Sequence, residues 1–516
     1  MSQPRIILCN DGATLALPSA GAELNAEAFV AATLGPLRGT AINTLYWQLG
    51  ADPFHGSPSH RLSDWYTHAT QVGPVWGVDA TRFQTATEWR LAATVRNLRE
   101  AGTDAVALIV EHGHRAGLEV FVSLRINDGS DCRIPEGQED SYLSSTRKSH
   151  PDWLLHGDGV PHPSMSQRQQ QQSRFALNFS KSEVRDYTLA LVAEAIDQYD
   201  LDGFDLDFCR QPSLFLTHDV VQGTGLIHEM LTLIRKRLDV KAGQSGRRLA
   251  LSVRVPADLE ANRACGLDVA RWIEARLVDV VVVADPKGWN YRLPVEAFVE
   301  LAQGSDCQIV AQNLCGMREE RLRSAAVLFG EGSRYSTEQY RAVAANHWLA
   351  GVHGQFIWNQ HLLPYIDDAW FDAQAWRDIG DAATLAGLDK HYVVGPAGRG
   401  GPLPLELDQA GSAISLDLEL ADDFPTEGGP AVVLRILIEQ LTDVDELRLF
   451  CNGIELDRGA AIARVNYNDC WLDFDLHAIA RQGCNRLVIE LLRRNPHVGA
   501  PLTLRRVEAL VSYGGM

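Results

Sequence analysis

The feature that most constrains the fold is a repeated succession of apolar, strand-like runs and amphipathic, helix-like segments between residues 40 and 365. Strand patterns occupy 41–49, 118–124, 203–209, 249–255, 278–284, 308–312 and 352–358. Helical patterns occupy 85–100, 104–115, 184–196, 226–238, 269–275, 296–301 and 338–349. Strands that alternate with helices form parallel sheets, so the pattern predicts an α/β fold, a (β/α)8 barrel. In this interpretation 41–49 is the first strand and 1–38 cover the bottom of the barrel, while the second strand is not located.

The composition changes at Gly395–Gly401, GPAGRGG, which reads as a linker. Beyond it, short strand patterns separated by turns occupy 414–420, 431–438, 447–451, 471–476, 486–492 and 502–513. This pattern is typical of a β-sandwich. A chain of 516 residues is also too long for one ordinary core. We therefore predict a barrel domain at 1–394, a linker at 395–401 and a C-terminal β-sandwich domain at 402–516.

The charge and cysteine content narrow the range of partners. A formal net charge of −19 argues against nucleic acid as a partner and suits a neutral or cationic substrate, such as a neutral sugar. No stretch approaches the ~20 apolar residues of a membrane span, and no basic, apolar leader opens the chain, so we expect no membrane contact and a cytoplasmic location. Nine scattered cysteines without a CxxC pair suggest reduced thiols. We expect neither a metal nor a cofactor, and the formation of a homo-oligomer stays open.

The most informative stretch is Tyr199–Arg210, YDLDGFDLDFCR. Its strict alternation places Asp205, Asp207 and Cys209 on one face of a strand and phenylalanine or leucine on the other. At roughly 3.3 Å of rise per residue, the two carboxylates lie about 6.6 Å apart, close enough to raise the pKa of one of them where water is excluded. Such a pair can supply a general acid or a base.

Other polar residues stand where the remaining strand patterns end. Because the carboxyl ends of barrel strands meet at one face, these side chains are expected to converge on a pocket. They are Ser123, Arg125, Asp128, Ser252, Arg254, Asp285, Gln312, Asn313, Trp358 and Asn359. Those expected to contact substrate are Arg125, Asp128, Arg254, Asn313, Trp358 and Asn359.

Hydrolysis of a glycoside needs one ionised carboxyl group and one that donates a proton. Asp207 is the candidate for the ionised group, and Asp285 for the proton donor, in competition with Asp128 and Asp205. Structural interpretations stay open beside these. The aspartates could cap a loop or pair with the arginines, Asp285 could be a turn residue before a proline, and Trp358 could be barrel packing.

Several local features carry smaller predictions. The insertion at 134–174, with its QRQQQQ run, is expected to be a surface loop over the strand ends, and the loop at 50–77 is expected to be functional. A capping box from Ser180 to Glu183 is expected to begin one helix, and Thr337 to cap another. His112 and His114 are interpreted as solvated residues near a helix end.

The segment DGFDLDF, residues 202–208, resembles the fourth-strand signature of the chitinase family of glycosidases, DGxDxDxE. Asp202, Asp205 and Asp207 match its three aspartates, but Cys209 stands at the position of the catalytic glutamate. A thiol cannot serve as the general acid of that mechanism. The resemblance therefore implies the barrel without implying chitinase activity.

A broader resemblance covers roughly residues 40–365. The segments HPDWLL, LNFSKSEVRDY and YDLDGFDLDF are similar, in order and wording, to bacterial glycosyl-hydrolase-like barrel proteins. This implies a sugar-directed barrel in which Asp207 is the catalytic group. The tail, with LRLFCNGIEL, GCNRLVIEL and LRRVEALVSY, resembles galactose-binding-like jelly rolls, which implies a domain that binds carbohydrate or braces the barrel.

Three functional hypotheses follow from the sequence. The leading one is a glycoside hydrolase acting on an oligo- or polysaccharide. The second is a carbohydrate-binding barrel protein that lost its catalytic acid, for which Cys209 is the motivating residue. The third is a lyase or isomerase in which Arg125 and Arg254 clamp an acidic sugar.

Overall fold

A computed structural model describes residues 3–16, 23–49, 86–127, 147, 149–285, 290–314, 335–358, 360, 373–395, 401–425 and 428–514. The chain divides into two compact units. The first comprises 1–288, 294–316 and 352–373, and the second comprises 289–293, 317–351 and 374–516. The domain boundaries at 394 and 402 stay a prediction.

The first unit contains a closed barrel of eight parallel strands, as the sequence pattern predicts. The strands are β1 (Arg5–Asn10), β2 (Thr44–Leu49), β3 (Glu119–Arg125), β4 (Gly203–Asp207), β5 (Ala250–Pro256), β6 (Val280–Ala284), β7 (Gln308–Gln312) and β8 (Gly354–Trp358). They follow one another around the barrel in chain order, and β8 pairs with β1 to close it.

The assignment of the first strand from the sequence was wrong. The run at 41–49 forms β2, and β1 is Arg5–Asn10, which lies within the segment predicted to cover the bottom of the barrel. The apolar core of β1 is only three residues long, Ile6–Leu8, and is too short to stand out by periodicity. Its pairing with β2 on one side and β8 on the other identifies it as a barrel strand.

Helices connect the strands of the first unit. They are α1 (Ala26–Leu34), α2 (Ala86–Glu100), α3 (Ala105–Arg115), α4 (Gln167–Gln172), α5 (Ser182–Gln198), α6 (Val220–Ser245), α7 (Leu259–Ala264), α8 (Val269–Glu274) and α9 (Glu296–Leu301). Short 3-10 helices occupy Ala13–Ala16, Gly35–Leu37, Pro151–Trp153, Ser173–Phe175 and Thr217–Asp219. None of the described helices is long and apolar enough to cross a membrane.

Two local predictions in this unit were wrong. The QRQQQQ run is helix α4 rather than a loop, because Ser166 and Gln169 form a capping box and Gln169 is buried. The N-cap of α5 is Lys181, which makes no side-chain capping bond, instead of Ser180. The Ser180 hydroxyl donates to Asn178 instead, at 2.7 Å.

Two glycines allow the barrel strands to approach closely. A Cβ at Gly203 in β4 would lie 2.2 Å from the Phe121 ring, and one at Gly354 in β8 would lie 2.0 Å from the carbonyl oxygen of Arg5. At such distances a neighbouring atom must shift before any side chain fits at these positions. Both glycines are therefore fixed by the packing of β3 against β4 and of β8 against β1.

Within its described residues, the second unit contains three helices and a β-sandwich. The helices are α10 (Thr337–Leu349), α11 (Gln374–Asp378) and α12 (Ala382–Leu385). Ser336, instead of the predicted Thr337, is the N-cap of α10 and forms a capping box with Gln339. The strands are β9 (Lys390–Val393), β10 (Leu405–Leu407), β11 (Ala413–Leu420), β12 (Ala431–Glu439), β13 (Glu446–Cys451), β14 (Ile454–Glu455), β15 (Ile462–Asn466), β16 (Asp469–Asp475), β17 (Gly483–Arg493) and β18 (Leu502–Ser512).

The sandwich has two antiparallel sheets, as predicted. One has the order β10-β18-β12-β16-β15, with β9 also paired to β18, and the other has the order β11-β17-β13-β14. Alternate residues of the long strands face a shared apolar core, as the burial of every second residue in β11 shows. The strands missed from the sequence are short or exposed, and β15 has no buried residue at all.

Candidate active site at the carboxyl end of the barrel

The register of three neighbouring strands builds the centre of the site. Asp205 of β4 is opposite Ser123 of β3 and Ser252 of β5. Two residues later, Asp207 is opposite Arg125 and Arg254. Because side chains alternate along a strand, these form two successive rows inside the barrel, with the Asp207 row nearer the carboxyl end.

Asp207 accepts hydrogen bonds on both carboxylate oxygens. Its Oδ2 receives the Gln48 Nε2 at 3.0 Å and the Arg254 Nη1 at 3.1 Å, and the Arg125 Nε lies 3.9 Å away. Its Oδ1 receives the backbone N–H of Cys209 at 2.8 Å. Asp207 is 1% exposed. Two guanidinium groups and three N–H donors therefore stabilise a buried, ionised carboxylate.

Arg254 also connects Asp207 to the end of β6. Its Nη2 donates to the Gln312 Oε1 at 2.6 Å, and the Gln312 Nε2 donates to the backbone carbonyl of Asp285 at 3.0 Å. Asp285 is 7% exposed and follows the last residue of β6. The structure thus brings the sequence-predicted Asp207, Arg254 and Asp285 into one hydrogen-bonded chain. Burial lowers the pKa of Arg254, whereas the nearby carboxylate of Asp207 raises it. The net change is an increase.

Trp358, the last residue of β8, packs against both arginines. The guanidinium carbon of Arg254 lies 5.0 Å from the centre of the indole ring, and that of Arg125 lies 5.9 Å away. These are cation–π distances, and Trp358 is 7% exposed. The ring thereby helps to fix the arginines that hold Asp207.

Asp205 lies in a different environment, although it is chemically identical to Asp207. The hydroxyls of Ser123 and Ser252 are each 2.6 Å from one of its carboxylate oxygens. Burial raises the pKa of Asp205 to about 7, and the charge of Asp207 adds to the increase. The close spacing of the two carboxyl groups predicts a raised pKa for one of them, and that group is Asp205.

Cys209, which stands where the chitinase signature DGxDxDxE has its glutamate, is 1% exposed. Burial raises the pKa of its thiol well above the usual range. A thiol this reluctant to ionise is neither an acid nor a nucleophile at neutral pH. Its contribution here is the backbone N–H that it donates to Asp207.

The remaining predicted residues fall outside this cluster or outside the described residues. Asn313 is buried, and its Nδ2 is 3.5 Å from the Gln355 Oε1. Asp128 and Asn359 lie outside the described residues. Asp202 precedes β4, at the other end of the strand from Asp207, where its Oδ2 accepts from the backbone N–H of Val120 at 2.7 Å.

Two contacts were not anticipated from the sequence. Gln48 of β2 donates to Asp207, and the available signal was the sequence TLYWQL, in which Thr44, Tyr46 and Gln48 alternate with apolar residues. His114, interpreted as solvated, has its Nε2 at 2.8 Å from the Asp202 Oδ2. Both pairings join residues far apart in the chain, so local patterns do not reveal them.

The segment that carries this site has a match among known families. Residues 73–215 match the glycosyl hydrolase-like 10 family. The matched segment includes β3, β4 and therefore Arg125, Asp205 and Asp207. No curated protein matches the sequence. The match and the barrel together relate this chain to carbohydrate-directed barrel proteins.

Solved structures of similar fold include several glycoside hydrolases. The PgaB (BpsB) glycoside hydrolase domain from Bordetella bronchiseptica is 13% identical, with a TM-score of 0.41, over 73% of this chain and 99% of that one. The α-galactosidase AgaA from Geobacillus stearothermophilus is 11% identical, with a TM-score of 0.37, over 99% of this chain and 56% of that one. Chitinase ChiA74 from Bacillus thuringiensis is 8% identical, with a TM-score of 0.38, over 97% and 100%.

Proposed function

We propose that this chain hydrolyses glycosidic bonds of an oligo- or polysaccharide at the carboxyl end of the barrel. The observation that carries the proposal is Asp207, an anionic carboxylate held by Arg254, Arg125 and Gln48 at the end of a barrel strand. It belongs to the segment that matches a glycosyl hydrolase-like family. In barrel enzymes, catalytic residues stand at this end of the strands.

In this proposal Asp207 is the ionised group and Asp285 the proton donor. Asp207 is the last residue of β4 and Asp285 follows β6, so two strand spacings, roughly 9–10 Å, separate their strands laterally. Retaining glycosidases need carboxyl groups about 5–5.5 Å apart, whereas inverting enzymes use about 6.5–9.5 Å to admit a water molecule. In this proposal Asp207 acts as the nucleophile of a retaining enzyme or as the base of an inverting one, and the distance between the two carboxyl groups decides between them.

The charge distribution favours a neutral sugar as substrate. Arg254 donates to both Asp207 and Gln312, and Arg125 lies beside the same carboxylate. Guanidinium groups engaged in this way are poorly available to clamp a uronate. The net charge of −19 acts in the same direction, because it repels an acidic polymer. These points weigh against the lyase or isomerase hypothesis.

The test is hydrolysis of a panel of natural polysaccharides, oligosaccharides and aryl glycosides of both anomeric forms, with glycan binding measured in parallel. We expect Asp207→Asn to lower kcat by several orders of magnitude while binding persists, and Asp285→Asn to lower it most for substrates with poor leaving groups. NMR of the first product formed distinguishes inversion from retention. Turnover that survives in Asp207→Asn would exclude the proposed role of this residue.

A second candidate is carbohydrate binding without hydrolysis. One observation that favours it is Cys209, at the position of the glutamate in the chitinase signature. The other is that Asp207 already accepts hydrogen bonds from Gln48, Arg254 and the Cys209 backbone N–H. Glycan binding without turnover across the panel, in a folded protein, would favour this candidate. If the chain is a hydrolase, Cys209→Ser should keep the wild-type kcat, because the buried thiol takes no part in proton transfer.

A further inference from the structure

Strand β15 is an edge strand with an unusually open surface. It ends the six-stranded sheet of the second unit, and within the described residues it pairs with β16 on one side only. All five of its residues are exposed. Ile462 is 65% exposed, Val465 is 71% exposed, and Tyr467, in the turn that follows, is 93% exposed. An exposed apolar edge of this kind is a template for pairing with another strand.

The turn at the end of β15 fixes which backbone groups are available for such pairing. Asn466 and Asp469 flank a two-residue turn and are directly opposite each other, so they exchange backbone hydrogen bonds. Bonded and outward-facing positions alternate along an antiparallel ladder. The backbone N–H and C=O groups of Ala463 and Val465 therefore point away from β16, towards the open edge.

The edge lacks the features that usually prevent pairing between strands. Residues 462–466 include no proline, and their register against β16 runs without a bulge. The one charged side chain, Arg464, donates to both carboxylate oxygens of Asp473 on β16, at 2.8 and 3.0 Å. Arg435 of β12 lies 3.3 Å from the same carboxylate. This end of the hairpin therefore carries one more cation than carboxylates.

The other end of the hairpin has the opposite excess. Asp469 is opposite Asn466 of β15 on one side and Glu439 of β12 on the other. The Glu439 carboxylate pairs with Arg505 at 2.7 Å. Burial raises the pKa of Asp469, and the charge of Glu439 adds to the increase. The turn end of the hairpin therefore carries one more carboxylate than cations, so the edge is complementary in charge to its own reverse.

We propose that β15 pairs with β15 of a second copy of this chain, antiparallel, about a two-fold axis at Val465. The outward backbone groups of Val465 in the two copies then bond to each other. Arg464 of each copy is opposite Asn466 of the other, in the row that continues to Asp469. An axis at Arg464 would instead place the two guanidinium groups opposite each other, which is unfavourable. The pairing joins the two six-stranded sheets into one and is independent of the hydrolysis proposed for the barrel.

The first test is sedimentation velocity of the full chain over a range of concentrations. We expect a reversible dimer whose fraction rises from about 1 to about 100 μM protein. Val465→Lys places two ammonium groups at the axis and should raise the Kd of the dimer by about tenfold or more. Val444→Lys is the matched control, because Val444 is 41% exposed and lies outside β15. This control should dimerise as the wild type does.

The second test is disulfide cross-linking, which reports on the register. Every variant carries Cys484→Ser, which removes an exposed native thiol. Val465→Cys places two thiols at the axis, where opposite Cα atoms lie about 5.5 Å apart and a disulfide can form. Ile462→Cys is the control on the same strand, because the register sets its two copies six residues out of step, about 20 Å apart. The parent Cys484→Ser protein measures any cross-link through other thiols.

A concentration-dependent dimer that Val465→Lys weakens, together with a disulfide in Val465→Cys and none in Ile462→Cys, supports the proposal. The proposal is wrong if the wild type stays monomeric at the highest of these concentrations. It is also wrong if Val465→Lys dimerises as the wild type does while its melting curve shows a folded protein, or if Val465→Cys forms no disulfide beyond that of the Cys484→Ser parent.

Discussion

Replacing Asp205 by asparagine should change the pH dependence of barrel stability in a direction that the structure fixes. In the unfolded chain this carboxyl group titrates near its ordinary pKa of 3.8, whereas in the folded barrel burial raises the pKa to about 7. Between these values the folded state keeps a proton that the unfolded state has released. The wild-type barrel therefore loses stability as pH rises from about 4 to 7.

The magnitude follows from the difference of roughly three pKa units, at about 1.4 kcal/mol per unit, or about 4 kcal/mol. At pH 5 the free energy of unfolding has fallen by only about 1.5–2 kcal/mol, and above pH 7 it has fallen by the full amount. Asparagine cannot ionise, yet its amide can donate to one of Ser123 and Ser252 and accept from the other. The free energy of unfolding of Asp205→Asn, relative to the wild type, should therefore rise by about 2 kcal/mol between pH 5 and pH 8.

The assay is urea unfolding of both proteins from pH 4.5 to 8.5. Unfolding is monitored by hydrogen exchange and mass spectrometry of peptides that cover β4. Peptides from β4 report on the barrel separately from the β-sandwich. The difference between the two proteins cancels the titration of groups that they share. Asp207→Asn is the matched control, because it removes a carboxylate that pairs with two arginines and should destabilise the barrel throughout this range. A wild-type-to-Asp205→Asn difference that does not vary with pH, or that falls as pH rises, would refute the reasoning.

Two other perturbations test the packing of the barrel. Arg254→Met should cost about 3–5 kcal/mol of unfolding free energy, because Asp207 loses its 3.1 Å partner in a buried site. Adding Asp207→Asn should cost less than the sum of the single changes in a double-mutant cycle measured by urea unfolding, whereas strict additivity would show that the pair is uncoupled. Gly203→Ala should destabilise the barrel by about 1–3 kcal/mol, because its Cβ would lie 2.2 Å from the Phe121 ring. Gly225→Ala, in α6 and without a neighbour within 4 Å, is the control, and equal melting temperatures of the two variants would contradict the packing argument.

The barrel was predictable because most of its strands show a recognisable pattern in the local sequence. β4 and β5 are short, buried runs with a period of two, β6 is a continuous apolar run, and helices separate the three. The strand that was missed, β1, has only a short apolar run, Ile6–Cys9, and its pairing with two neighbouring strands reveals it. Helix α4 was missed for a similar reason, because a run of glutamines shows no apolar face. Its helical structure depends on a capping box and on the buried contacts of Gln169.

The sequence by itself determined that β4 is a strand and that Asp205 and Asp207 share one of its faces, because side-chain alternation is a property of the extended backbone. The tertiary structure decided which of these two identical carboxyl groups carries the charge. Asp205 meets two serines from β3 and β5, whereas Asp207 meets two arginines from the same strands, one step further along. The two serines that contact Asp205 are 82 and 47 residues away from it in the chain, at positions 123 and 252. Ionisation depends on excluded water and on neighbouring charge, and both arise only when the barrel closes.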